Sequence, residues 1–137
     1  MNLNQFAETR AVDFSARPAS CDSIQAAQRA LNVPFGPQLK EYLTRYGYLG
    51  FGSVEFYGMN ECQQLRSDLV TQTQYLHRYY PATVGYVAVE NTGEGCYALV
   101  DRKDRMIRYL TETGETIALQ EDLNGYILRR FQEEEGL

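Results

Sequence analysis

The stretch Gly36-Pro37-Gln38-Leu39-Lys40-Glu41-Tyr42-Leu43-Thr44-Arg45-Tyr46-Gly47 carries helix punctuation at both ends. Gly36 stands at a cap and Pro37 at the first helical position, where its missing N–H is one that a helix leaves unpaired anyway. Leu39, Tyr42, Leu43 and Tyr46 recur at i, i+3, i+4 and i+7, which lays one continuous apolar face along a helix. Gly47 is placed to stop it through a left-handed residue just past the end. Upstream, Ser20 or Asp22 caps a second helix with Ile24, Ala27 and Leu31 on one stripe, and Pro34 ends it. Together they predict a helical hairpin against which the rest of the chain packs.

Outward from that hairpin, residues 2–12 predict a short helix, and residues 14–20, with Pro18 among small polar residues, read as a linker. Residues 48–52 form a glycine-punctuated loop. Residues 53–57 follow as a strand, with Val54 and Phe56 on one face and Glu55 and Tyr57 on the other. Asn60 with Gln63 resembles a capping box opening a helix that carries Leu65, Leu69 and Leu76, with Pro81 beyond its end. Residues 84–90, 96–101 and 105–110 read as consecutive strands whose short connections require antiparallel neighbours, and 116–118 as a short fourth. A last helix places Leu123, Tyr126, Ile127 and Phe131 on one face and frays over 133–135. This order predicts one α+β domain over residues 1–137, an antiparallel or mixed sheet packed against several helices. Its core spans about 20–132, and 1–19 supply an N-terminal helix and linker.

The chain of 137 residues is the size of one domain, and its 44% hydrophobic and 23% charged residues are a globular composition. No apolar run approaches the ~20 residues needed to cross a bilayer, and the first residues show neither a basic nor an apolar leader region. The expectation is therefore a cytoplasmic protein without membrane contact. Net charge is −5, and the excess is uneven. Residues 1–84 carry seven acids and seven Lys or Arg, whereas 85–137 carry eleven acids and six bases. That argues against nucleic-acid binding, which needs a basic face. It suits a basic protein partner, and equally a mildly acidic domain that is merely soluble. Cys21, Cys62 and Cys96 form no CxxC pair, which excludes a zinc ribbon, and their odd number reads as reduced thiols.

Catalytic chemistry finds little support. His77 sits late in a helix, where the dipole favours its protonated form without any catalytic role. A thiol of Cys96 or Cys62 with His77 as base would be the minimal enzyme. Glu90, Glu94, Asp101 and Asp104 flank two turns and read either as oxygen ligands at one sheet edge or as a solvated rim beside Arg102, Lys103 and Arg105. Asn91-Thr92-Gly93-Glu94-Gly95 precedes a strand rather than a helix, so it is a hairpin turn and no phosphate cradle. No metal or cofactor is expected. The unusual feature is eleven tyrosines. Tyrosine joins large rigid area to a polar tip, which serves partner recognition, though the same residue also lids a core.

The run from Ile24 through Ala30-Leu31-Asn32-Val33-Pro34 and Leu39-Lys40-Glu41-Tyr42-Leu43 to Tyr46-Gly47 resembles the opening of the SUKH superfamily (Smi/Knr type). Similar too are Gly50-Phe51-Gly52-Ser53-Val54-Glu55-Phe56-Tyr57-Gly58, the Tyr79-Tyr80-Pro81 helix end, the Gly-x-Gly turn into Cys96 and the C-terminal amphipathic helix. The chain departs in having Val33 before Pro34 and no Trp. The resemblance implies a non-enzymatic SUKH-like domain. In its bacterial branch such a domain is an immunity protein that neutralises a cognate polymorphic toxin, often a nuclease, by direct binding. Alternatively it implies a regulatory scaffold for an endogenous partner. Within that reading the expected partner contacts are Tyr48, Phe51, Glu55, Tyr57, Tyr79, Tyr80, Glu94, Asp101 and Asp104, with acidic residues steering a basic toxin domain.

Overall fold

The computed structural model describes residues 1–59 and 67–136. Helix α1 (Leu3–Thr9) opens the chain on a capping box, in which Asn2 Oδ1 accepts the Gln5 N–H at 2.8 Å and Gln5 Oε1 accepts the Asn2 N–H at 2.9 Å. Where a linker is expected, the chain makes a two-residue strand β1 (Asp13–Phe14), then α2 (Cys21–Leu31) capped by Ser20. Asn32, at φ 54°, ends α2 before Pro34 is reached. α3 (Pro37–Arg45) starts at Gly36 and stops at Gly47, φ 75°, whose N–H reaches back to the Tyr42 and Leu43 carbonyls.

The loop predicted over 48–52 contains strand β2 (Leu49–Phe51), and β3 (Val54–Glu55) is shorter than the predicted 53–57. β1, β2 and β3 form a small antiparallel sheet in that order. Helix α4 (Leu69–Tyr79) takes its cap from Asp68, whose carboxylate accepts the Thr71 N–H at 2.9 Å. The Asn60–Gln63 capping box and Leu65 lie outside the described residues. A 3-10 turn (Pro81–Thr83) delays the next strand, so β4 runs Val87–Gly93 rather than 84–90.

β4, β5 (Cys96–Val100), β6 (Arg105–Leu110) and β7 (Thr116–Asp122) form a four-stranded antiparallel sheet in chain order, with no parallel strand pair. β7 is longer than the predicted 116–118 and leads straight into α5 (Leu123–Glu135), capped by the Asp122 carboxylate. The predicted fraying at 133–135 does not occur. Glu133 pairs with Arg129 and Arg130, Glu134 accepts from Ser53 N and Oγ, and Glu135 pairs with Arg10, so three acids hold the last turn.

The large sheet has helices on both faces. The cross-strand row Glu90, Ala98, Arg108 faces α5, because Glu90 meets Tyr126 and Arg130. The alternate row Tyr97, Tyr109 faces α4, because Tyr80 stacks edge-on against Tyr109. On the α5 side, Phe6, Phe51, Phe56, Tyr126 and Phe131 interlock with centroids 5.2–6.1 Å apart, joining α1 and the small sheet to α5. A bulge at Val89 frees its carbonyl from β5, and the Tyr57 N–H takes it at 2.8 Å, which ties the two sheets together.

Candidate protein-binding surface

The residues expected to meet a partner divide sharply. Tyr57 is 7% exposed, contrary to its expected outward direction. β3 ends at Glu55, so strict alternation no longer governs position 57, and the chain turns inward to bond Val89. The Tyr57 carbonyl then accepts the buried Tyr42 hydroxyl at 2.6 Å, and burial holds the Tyr57 phenol well above its ordinary pKa. Phe51 is half-buried in the aromatic cluster beside Phe6 and Phe131 and offers little free surface. Tyr48 is half-buried, and Glu55 is exposed on the small sheet.

Asp104 is also a structural residue. It is 4% exposed, and its carboxylate accepts the Gln38 N–H at 2.9 Å and the Leu39 N–H at 3.1 Å. It thus caps α3 from the β5–β6 turn, doing what the Gly36 side chain cannot. A Cβ at Gly36 would collide with that carboxylate, so the glycine makes room for the distant cap. Burial raises the Asp104 pKa, opposed by the two amides. Asp101, half-buried, accepts the Lys103 and Arg105 amides and pairs with Arg105 at 3.2 Å. These contacts outweigh desolvation, its largest single influence, and lower its pKa.

The four acids read as flanking one edge do not converge. Antiparallel strands put the β4–β5 turn with Glu94 at one end of the sheet, and the β5–β6 turn with Asp101 and Asp104 at the other, roughly 17 Å away along β5. Glu90 is buried at 2% exposure, bonded to the Tyr126 hydroxyl at 2.5 Å and to Arg130 at 2.7 Å. Among the described residues no group of three or more His, Cys, Asp or Glu side chains is arranged to hold a metal ion.

The Glu94 end is the free one. Thr111 N and Oγ1 both donate to the Gly95 carbonyl at 2.9 Å, which joins the β4–β5 turn to the β6–β7 turn. That brings Glu94, Glu112 and Glu115 to one end of the sheet, all exposed and none ion-paired among the described residues. On the face nearest them, tyrosines run from core to solvent. Tyr109, 3% exposed, packs on Tyr80 at 5.8 Å; Tyr80 packs on Tyr75 at 6.4 Å, and Tyr75 on Tyr79 at 5.1 Å. Tyr75 and Tyr79 are 45% and 58% exposed, and Arg78 lies over the Tyr79 ring. Half-buried Tyr97 sits beside this row: burial first, then Tyr75 and Tyr80, raise its pKa. The Tyr75 phenol is raised chiefly by Tyr80. At neutral pH the Tyr75 and Tyr97 hydroxyls stay protonated and can donate hydrogen bonds.

Of the expected contacts, then, Tyr79, Tyr80 and Glu94 share this end, while Tyr75, Tyr97, Glu112 and Glu115 were missed. The i, i+4 spacing of Tyr75 and Tyr79 was a visible signal for one face of α4. Glu112 and Glu115 required knowing that alternate hairpin turns share a sheet end. The thiol–histidine pair is not formed with Cys96. His77 Nε2 lies 2.8 Å from the Tyr86 carbonyl on the α4 side, whereas half-buried Cys96 alternates with Tyr97 and points to the other face. Cys62 lies outside the described residues.

The SUKH_5 family, described as SMI1-KNR4 cell-wall, matches residues 2–132. No curated protein matches the chain.

Proposed function

This chain belongs to the SMI1-KNR4 family of the SUKH superfamily, and from that premise we propose that it is a non-enzymatic binding protein, an immunity protein that neutralises a cognate toxin by covering it. The observation that carries the reading is the exposed Tyr75–Tyr79 pair, backed by Tyr80 and Tyr97 and bordered by the exposed Glu94, Glu112 and Glu115. Rigid aromatic anchors supply desolvation energy, and the acidic end steers a basic partner domain, such as a nuclease, toward them. The family description also names the cell wall, which favours a second reading, a regulatory scaffold for an endogenous partner.

Co-expression with the product of the adjacent gene tests the first reading. Protection of the cells and a co-purified complex are expected, with affinity falling more than about tenfold in the Tyr75→Ala/Tyr79→Ala double variant while its circular dichroism is unchanged. An adjacent gene that encodes no toxin, with a complex formed instead on an endogenous protein, favours the scaffold.

A further inference from the structure

The two edges of the large sheet are treated differently. At β4 the outer edge is closed: the Ala88 N–H donates to Thr73 Oγ1 on α4 at 3.0 Å, and the Val89 carbonyl accepts the Tyr57 N–H. At β7 no strand or helix among the described residues covers it. Thr116, Ile117 and Ala118 are exposed, and β7 pairs with β6 alone.

The register says which groups are free. Leu110 N donates to the Glu115 carbonyl at 3.0 Å, and the pairs Tyr109–Thr116, Arg108–Ile117 and Ile107–Ala118 continue in step. Antiparallel alternation then turns Ile117 toward β6 and aims the N–H and C=O groups of Thr116 and Ala118 outward. Natural edges are blunted by Lys, Pro or a bulge. Here only the far half is blunted, by the irregularity around Gln120, φ 56°; Thr116-Ile117-Ala118 is regular and carries no such guard.

We propose that the β7 edge over residues 116–118 accepts an extended basic segment of the partner protein as an added strand. The inference rests on the binding reading above and names its contact mode. Charge selects the occupant. Glu112 and Glu115, exposed and without an ion pair among the described residues, precede the free stretch, whereas beyond it Glu121 is paired with Arg129 at 2.8 Å and Asp122 caps α5. A basic strand meets complementary charge at the 112–115 end. Arg108 adjoins Ile117 but belongs to the row under α5, near Tyr126, and does not line the outer edge. Thr116 and Ala118 share the sheet face of Tyr97 and Tyr109, so the added strand extends the tyrosine surface.

The test uses the full chain with isotope-labelled amides and a blocked octapeptide of alternating Lys and Val. Expected are slowed amide exchange at Thr116 and Ala118 and no effect from the Glu–Val counterpart. Binding should weaken about tenfold on Ala118→Pro, which deletes an outward N–H without breaking a β6 bond, or on N-methylation of alternate peptide amides, which leaves the protein unaltered. Shifts elsewhere than β7, equal binding of the methylated peptide, or protection at β7 that grows with protein concentration in the absence of peptide would each overturn it. If the co-expressed partner binds the wild type and Ala118→Pro equally but is lost on Tyr75→Ala/Tyr79→Ala, the edge proposal fails and the binding reading stands.

Discussion

Two ends of one sheet carry carboxylates in their hairpin turns, and they do opposite work. At the β5–β6 end Asp104 and Asp101 are absorbed by the fold, one capping α3 and the other closing its own turn with Arg105. At the other end Glu94, Glu112 and Glu115 reach solvent with no ion pair among the described residues. A carboxylate at a turn is therefore uninformative until its amide partners are known. An orphaned helix N-terminus beside the turn captures the acid; without one, the charge stays available to a partner.

Substitutions sharpen that contrast, the largest on the shared β4 strand. Glu90→Ala strands the Tyr126 hydroxyl, leaves the Arg130 guanidinium only Glu133, and should lower unfolding free energy by about 3 kcal/mol in urea titrations. Asp104→Ala orphans the Gln38 and Leu39 amides at the α3 N-terminus, an expected loss of about 2 kcal/mol. Glu94→Ala, measured alongside, should stay within about 0.5 kcal/mol of wild type. Equal losses at Asp104 and Glu94 would erase the distinction between the two ends.

Acid titration separates the two captured aspartates. Asp101 has a lowered folded pKa, so its contribution is present above the unfolded carboxylate value and lost as pH falls through the folded one. Asp104 has a raised folded pKa, so its ionisation contribution is full below the unfolded value and lost as pH rises through the folded one. Melts between about pH 3 and pH 7 should show Asp101→Asn and Asp104→Asn changing the pH slope in opposite directions. The smallest expected effect on stability comes from Glu94→Lys with Glu112→Lys and Glu115→Lys, within about 0.5 kcal/mol each. Stopped-flow association with the partner should nevertheless slow at low salt and converge with wild type at high salt.

Local periodicity made much of this architecture readable. The α3 boundaries at Pro37 and Gly47, the apolar face of α5 and the three strands around two short turns all follow from spacing and turn chemistry among neighbouring residues. The misreadings share one cause. β1 and β2 are too short to show alternation and exist because they pair with each other. The glutamates ending α5 look like a fraying tail until Arg10 and Ser53 arrive from elsewhere in the chain to hold Glu135 and Glu134. The exposure of Tyr79 and Glu94 was legible, whereas Tyr57 and Asp104 are buried because their partners lie across the fold.

The residues alone determined that this chain makes one α+β domain with a helical hairpin, an antiparallel hairpin sheet and an acidic C-terminal half, because helices, turns and net charge depend on contacts within a few positions. Only the tertiary structure decided which acids are free and which tyrosines reach solvent. Those outcomes depend on hydrogen bonds between residues as far apart as Gln38 and Asp104, which no local spacing encodes.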